Sequence, residues 1–89
     1  TMKLEYFIER AAEAMARLRP DLYTNGSAVP TVTNWLLYLA DKEDGACIGT
    51  GGFLLYKNID EEDVITLSLV KSLADIDSSG DEHEVFVWS

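Results

Sequence analysis

Basic residues are what this chain has least of. Its 89 residues hold seven Lys and Arg against sixteen Asp and Glu, a formal net charge of −9. Contacts to a phosphate backbone need Lys and Arg, so the deficit argues against direct binding to nucleic acid. Cysteine is nearly absent as well. Cys47 alone closes no intramolecular disulfide. Small secreted domains usually depend on several such bridges, so a reducing cytoplasm is the expected compartment. The longest apolar runs, residues 35–40 and 53–56, fall far short of the roughly 20 residues that span a bilayer. Glu5 and Glu9 follow Lys3 too soon for a signal peptide, and Thr1 ahead of Met2 reads as a residue added before a native start. There is no internal repeat and no low-complexity tract.

What is present is the composition of a folded globule. The chain is 47% hydrophobic and 10% aromatic, whereas a disordered acidic tail is poor in Leu, Ile, Val and aromatic residues. Its length fits one domain over residues 1–89. The core is small, so a partner or a second copy would add usefully to stability. Charge is unevenly spread along it. Residues 1–20 carry a net of +1, residues 21–60 a net of −3, and residues 61–89 a net of −7. A like-charged surface repels itself and weakens the compact state, which points to a compensating use in solubility, cation binding or a basic partner.

Periodicity predicts the elements. Leu4, Phe7, Ile8, Ala11, Ala12, Met15 and Leu18 recur at helical spacing, giving a helix over residues 3–18 that Pro20 stops. Residues 20–30 read as a loop, with Asn25-Gly26-Ser27 as a turn and Pro30 closing it. The short apolar run over residues 31–40, rich in Thr, Val, Trp and Tyr, reads as a buried strand. Residues 41–45 then form a hairpin connection to a second strand over 46–56, with Gly49, Gly51 and Gly52 marking a bulge. Asp60 as a cap, with Glu61, Glu62 and Asp63 in the first turn, favours a helix over residues 60–76, against a rival strand over 64–70. Residues 84–88 alternate as a last strand. The fold expected is α+β, in the order helix, strand, strand, helix, strand, with the helices on one face of a three-stranded antiparallel or mixed sheet.

No motif for catalysis emerges. Cys47 and His83 are the available nucleophile and base, but each is a single copy with no third orienting group, and Cys47 beside Ile48 reads as a small core residue. Gly49-Thr50-Gly51-Gly52 lacks the Gly-Lys-Ser/Thr that opens the helix of a phosphate loop. The segment from Asp75 through Asp77, Ser79 and Gly80 matches the first half of a calcium loop. Its twelfth position, which calls for a bidentate carboxylate, is Phe86, leaving Glu84 as a substitute oxygen. No cofactor is expected.

The leading expectation is therefore a non-enzymatic acidic protein that binds a basic surface of another protein through Glu61, Glu62, Asp63, Asp75, Asp77, Asp81, Glu82 and Glu84. Rigid carboxylates accept bidentate bonds from Arg as phosphates do. The most specific form of this expectation is an inhibitor that fills a nucleic-acid-binding groove, as anti-restriction, anti-CRISPR and nuclease immunity proteins of similar size and charge do. The rivals are a calcium-binding domain using Asp75, Asp77, Ser79 and Glu84, and a structural subunit with a hydrophobic interface. The carboxylates of the last third are expected to form one face. No membrane contact is expected, and monomer or dimer stays open.

Overall fold

A computed structural model describes residues 3–71 and 82–88. The expected first helix forms as α1 (Leu4–Leu18), burying Phe7, Ala11, Ala12, Ala14 and Met15. Its alanines let a second helix, α2 (Asn25–Leu39), pack closely beside it.

Residues 31–40 were expected to form a strand, and the structure corrects this to helix α2. The Thr24 side chain accepts from the Ser27 backbone N–H, while the Ser27 hydroxyl accepts from the Thr24 N–H, so a reciprocal cap starts the helix inside the expected loop. Started there, α2 is long enough to carry a helical stripe of Ala28, Val32, Trp35, Leu36 and Leu39, all buried. Pro30 lies within the helix rather than closing a loop. Its missing N–H leaves the Gly26 carbonyl without the usual partner, a cost offset by burial of that stripe.

Four strands follow: β1 (Cys47–Ile48), β2 (Phe53–Ile59), β3 (Ile65–Lys71) and β4 (Glu82–Trp88). They make one antiparallel sheet in the order β1-β2-β3-β4, so neighbours in sequence are neighbours in space. The class is α+β as expected, but the sheet has four strands rather than three, and both helices precede it. Residues 41–45 join α2 to β1 instead of linking two strands.

The expected second strand is split. Residues 49–52 form the turn between β1 and β2, so the glycines mark a reversal and not a bulge. The expected helix over residues 60–76 is also corrected, because residues 65–71 form strand β3. Alternation decides it: Leu67 and Leu69 are fully buried while Thr66, Ser68 and Val70 are half-buried on the other face. The remainder of that segment, from residue 72, lies outside the described residues. The last strand stands, two residues longer at its start than expected.

One face of the sheet receives the helices. Phe53, Leu55, Leu67, Leu69 and Phe86 join the helix stripes in a single core. Among the described residues, no helix is long and apolar enough to cross a membrane.

Candidate interaction surface

The β1–β2 turn is held by the loop joining the two helices. The Tyr23 hydroxyl donates to the Thr50 carbonyl at 3.0 Å, and the Tyr23 ring meets the Phe53 ring edge-on. Burial raises the Tyr23 phenol above its ordinary value, with the Arg19 charge opposing. Arg19 makes two hydrogen bonds to Asp21, at 3.0 and 2.9 Å, which lowers the Asp21 carboxyl below its ordinary value. Gly51 adopts φ +65°, and a Cβ there would meet the Tyr23 hydroxyl. A Cβ on Gly49 would meet the Phe53 carbonyl oxygen and lie 2.7 Å from the Leu54 Cα. Packing thus accounts for Gly49 and Gly51 without a phosphate cradle. Gly49→Ala should lower stability by about 2–3 kcal/mol, because the obstruction is backbone and cannot swing aside. An unchanged denaturant midpoint would show that this turn is looser than described.

The β2–β3 turn is built by Asp60. Its Oδ1 accepts from the N–H groups of Glu62 at 2.8 Å and Val64 at 3.0 Å, and Asp63 adopts φ +64°. The carboxylate expected to cap a helix instead closes a turn by the same chemistry. With Asp60 holding the backbone, Glu61, Glu62 and Asp63 are all exposed.

A second acidic turn is fastened beside it. Asp44 Oδ1 accepts from the Ile59 N–H at 2.7 Å, and Gly45 donates to the Lys57 carbonyl at 2.8 Å. The two turns bring seven carboxylates to one end of the sheet: Asp41, Glu43, Asp44, Asp60, Glu61, Glu62 and Asp63. The lysines among them are only partly available to balance this charge. Lys42 lies 3.5 Å from an Asp41 oxygen and 4.5 Å from the centroid of the Tyr38 ring. Lys57 is buried, with Nζ donating inward to the carbonyls of Leu39, Ala40 and Lys42.

Of the eight expected partner-binding carboxylates, the structure brings Glu61, Glu62 and Asp63 together. Glu82 and Glu84 pair with Val70 and Leu69 towards the opposite end of β4, away from that turn. Asp75, Asp77 and Asp81 lie outside the described residues. Sequence reading missed Asp41, Glu43, Asp44 and Asp60 as members of the group. They are separated along the chain, and the Asp-Gly pair at 44–45 was the available signal that a turn stood there.

Of the expected calcium loop, Asp75, Asp77 and Ser79 lie outside the described residues, and Glu84 belongs to strand β4. Residues 65–71, where most of the helix before an EF-hand loop would lie, form strand β3. Among the described residues, no group of three or more His, Cys, Asp or Glu side chains is placed to hold a metal ion. Cys47 is exposed rather than core, because β1 lies at the sheet edge. His83 belongs to β4 at the other edge, three interstrand spacings or about 14 Å from β1. No protein-family model, no curated protein and no solved structure matches this chain.

Proposed function

We propose that this chain is a non-enzymatic acidic interaction protein that binds a basic surface of a partner protein in the cytoplasm. The observation that carries the reading is the paired-turn end of the sheet, where two backbone-fastened turns hold seven carboxylates. A turn backbone already held by Asp44 and Asp60 loses little freedom on binding, and the field of the carboxylates draws a basic partner in. In its most specific form the partner binds nucleic acid, and the carboxylates stand where phosphates would lie.

Immobilised protein should therefore capture a partner from the source cell that elutes in a salt gradient and is identified by mass spectrometry. Exposed pairs are screened over about 8 Å at physiological ionic strength, so affinity should fall steeply as salt rises. Glu61→Lys with Glu62→Lys should slow association by about tenfold or more while changing dissociation far less. Binding that ignores salt would refute the reading. For the inhibitor form, the partner's own nucleic acid should compete with this chain, and a ternary complex would exclude phosphate mimicry.

A further inference from the structure

From Leu22 to Ala40 the chain runs nineteen residues without one charged side chain, although a quarter of the whole sequence is charged. This stretch is not buried as a whole. Eight of the fifteen residues of α2 are exposed, among them Val29, Pro30, Asn34, Leu37 and Tyr38. Leu37 stands 70% exposed. Depletion of charge with retention of apolar and aromatic residues marks the centre of a protein interface more than a solvated surface. Val29, Thr33 and Leu37, four residues apart, form a ridge along α2.

The facing helix carries charges of both signs, Arg10 and Arg17 among them, and its acids are gathered on one line. Glu5, Glu9 and Glu13 recur every four residues on α1, so like charges stack along one line, which weakens an isolated helix by a few tenths of a kcal/mol per pair. None of the three makes an ion pair among the described residues. Between the two helices lies a groove of about 280 Å³ lined by Glu5, Ile8, Glu9, Val29 and Thr33. Ile8 and Val29 supply its apolar lining, and Glu5 and Glu9 its carboxylates.

We infer that this groove, with the exposed Leu37 one turn beyond Thr33 on the same α2 ridge, docks an amphipathic helix of the partner protein, its apolar side chains on Ile8 and Val29 in the groove and on Leu37 beyond it, and its Lys or Arg residues on Glu5 and Glu9. A helix is the fitting shape, because its side-chain ridges fill the channel between two packed helices and its period offers an apolar and a basic face together. Charge decides against a second copy of this chain, since a two-fold contact here would bring each carboxylate line towards its own image. The inference deepens the reading of a basic partner and rests on it for the sign of the partner's charge. It names a surface on the helices, separate from the acidic turns of the sheet.

The test uses the full chain and a fluorescein-labelled amphipathic helical peptide of leucine and lysine, with a scrambled peptide of identical composition beside it. Anisotropy titrations are run on wild type, Leu37→Asp, Glu5→Gln with Glu9→Gln, and Glu61→Gln with Glu62→Gln and Asp63→Asn. The changed side chains are exposed, and circular dichroism verifies that each variant keeps its fold. The patterned peptide should bind wild type more tightly than the scrambled one. Leu37→Asp and the Glu5/Glu9 double variant should each weaken it about tenfold, and the turn variant less than threefold. Loss of binding in the turn variant alone would overturn the groove while leaving the basic-partner reading in place. Equal binding of the scrambled peptide would overturn it likewise, and no saturable binding of either peptide would count against both. Sedimentation that shows a dimer of wild type dissociated by Leu37→Asp would make the occupant a second copy and overturn the inference.

Discussion

Lys57→Met is expected to destabilise the fold by about 3–5 kcal/mol, although methionine keeps most of the buried stem. Lys57 is 2% exposed in the middle of β2, on the face that meets the helices. Its Nζ has three N–H donors and uses them on three carbonyl oxygens, Leu39 at 2.6 Å, Lys42 at 2.8 Å and Ala40 at 3.2 Å. Two of those carbonyls end α2, where the last turn lacks intrahelical partners and the helix dipole is negative. The Trp88 ring lies 5.6 Å from the same nitrogen. Replacing a buried ion pair by apolar groups is often harmless because both charges leave together. Here the acceptors are backbone and stay behind, and of the three the Leu39 carbonyl keeps one donor, the Lys42 N–H at 3.0 Å. The bond to Leu39 is buried and those to Ala40 and Lys42 are partly buried. Water can therefore relieve part of the loss, which holds the expected cost below three full desolvation penalties. Urea titration at constant m-value measures it. A midpoint unchanged or raised would show that the three carbonyls find other donors.

The same lysine shows what periodicity can reveal. It falls two residues after Leu55 and four after Phe53, so the alternation of a strand points it inward, even though a lysine is ordinarily read as solvated. Helix α1 was legible for the related reason that an alanine-rich stripe has no rival period. Helix α2 was not, because Asn25-Gly26-Ser27 is a good turn and Pro30 a good stop when taken alone. Thr24 and Ser27 turn that segment into a capped start, and the β-branched Thr31, Val32 and Thr33 add to the appearance of a strand. At Asp60 the ambiguity is chemical. A carboxylate accepting the N–H two residues ahead begins a helix or closes a turn with nearly the same geometry. Only the burial of Leu67 and Leu69 on alternate positions separates the two outcomes. The acidic end was illegible for a different reason. Residues 41–44 and 60–63 meet through the pairing of residues 44–46 with 57–59, a long-range contact that no local period encodes. The exposed ridge of α2 was hidden behind the strand assignment, since a face can be read only after its period is right.

Phe7→Ala should be as damaging as the loss of Lys57, by about 3–5 kcal/mol, and by a different mechanism. Phe7 is fully buried on α1, and its ring stacks on Phe86 of β4 with centroids 5.1 Å apart and planes inclined by 29°. The pair joins the first element of the chain to the last strand, a contact that local structure cannot replace. Truncation forfeits the transfer of the ring from water and leaves a cavity, while the stacked partner loses an interaction of about 0.5–1.5 kcal/mol. Small domains are stable by only about 5–15 kcal/mol, so the variant should melt well below wild type, by about 4–8 °C for each kcal/mol. Because the two rings share one contact, Phe86→Ala in the Phe7→Ala background should cost clearly less than Phe86→Ala alone. Strict additivity of the two substitutions, or a loss under about 1 kcal/mol for the first, would mean that α1 does not pack on β4 through this pair.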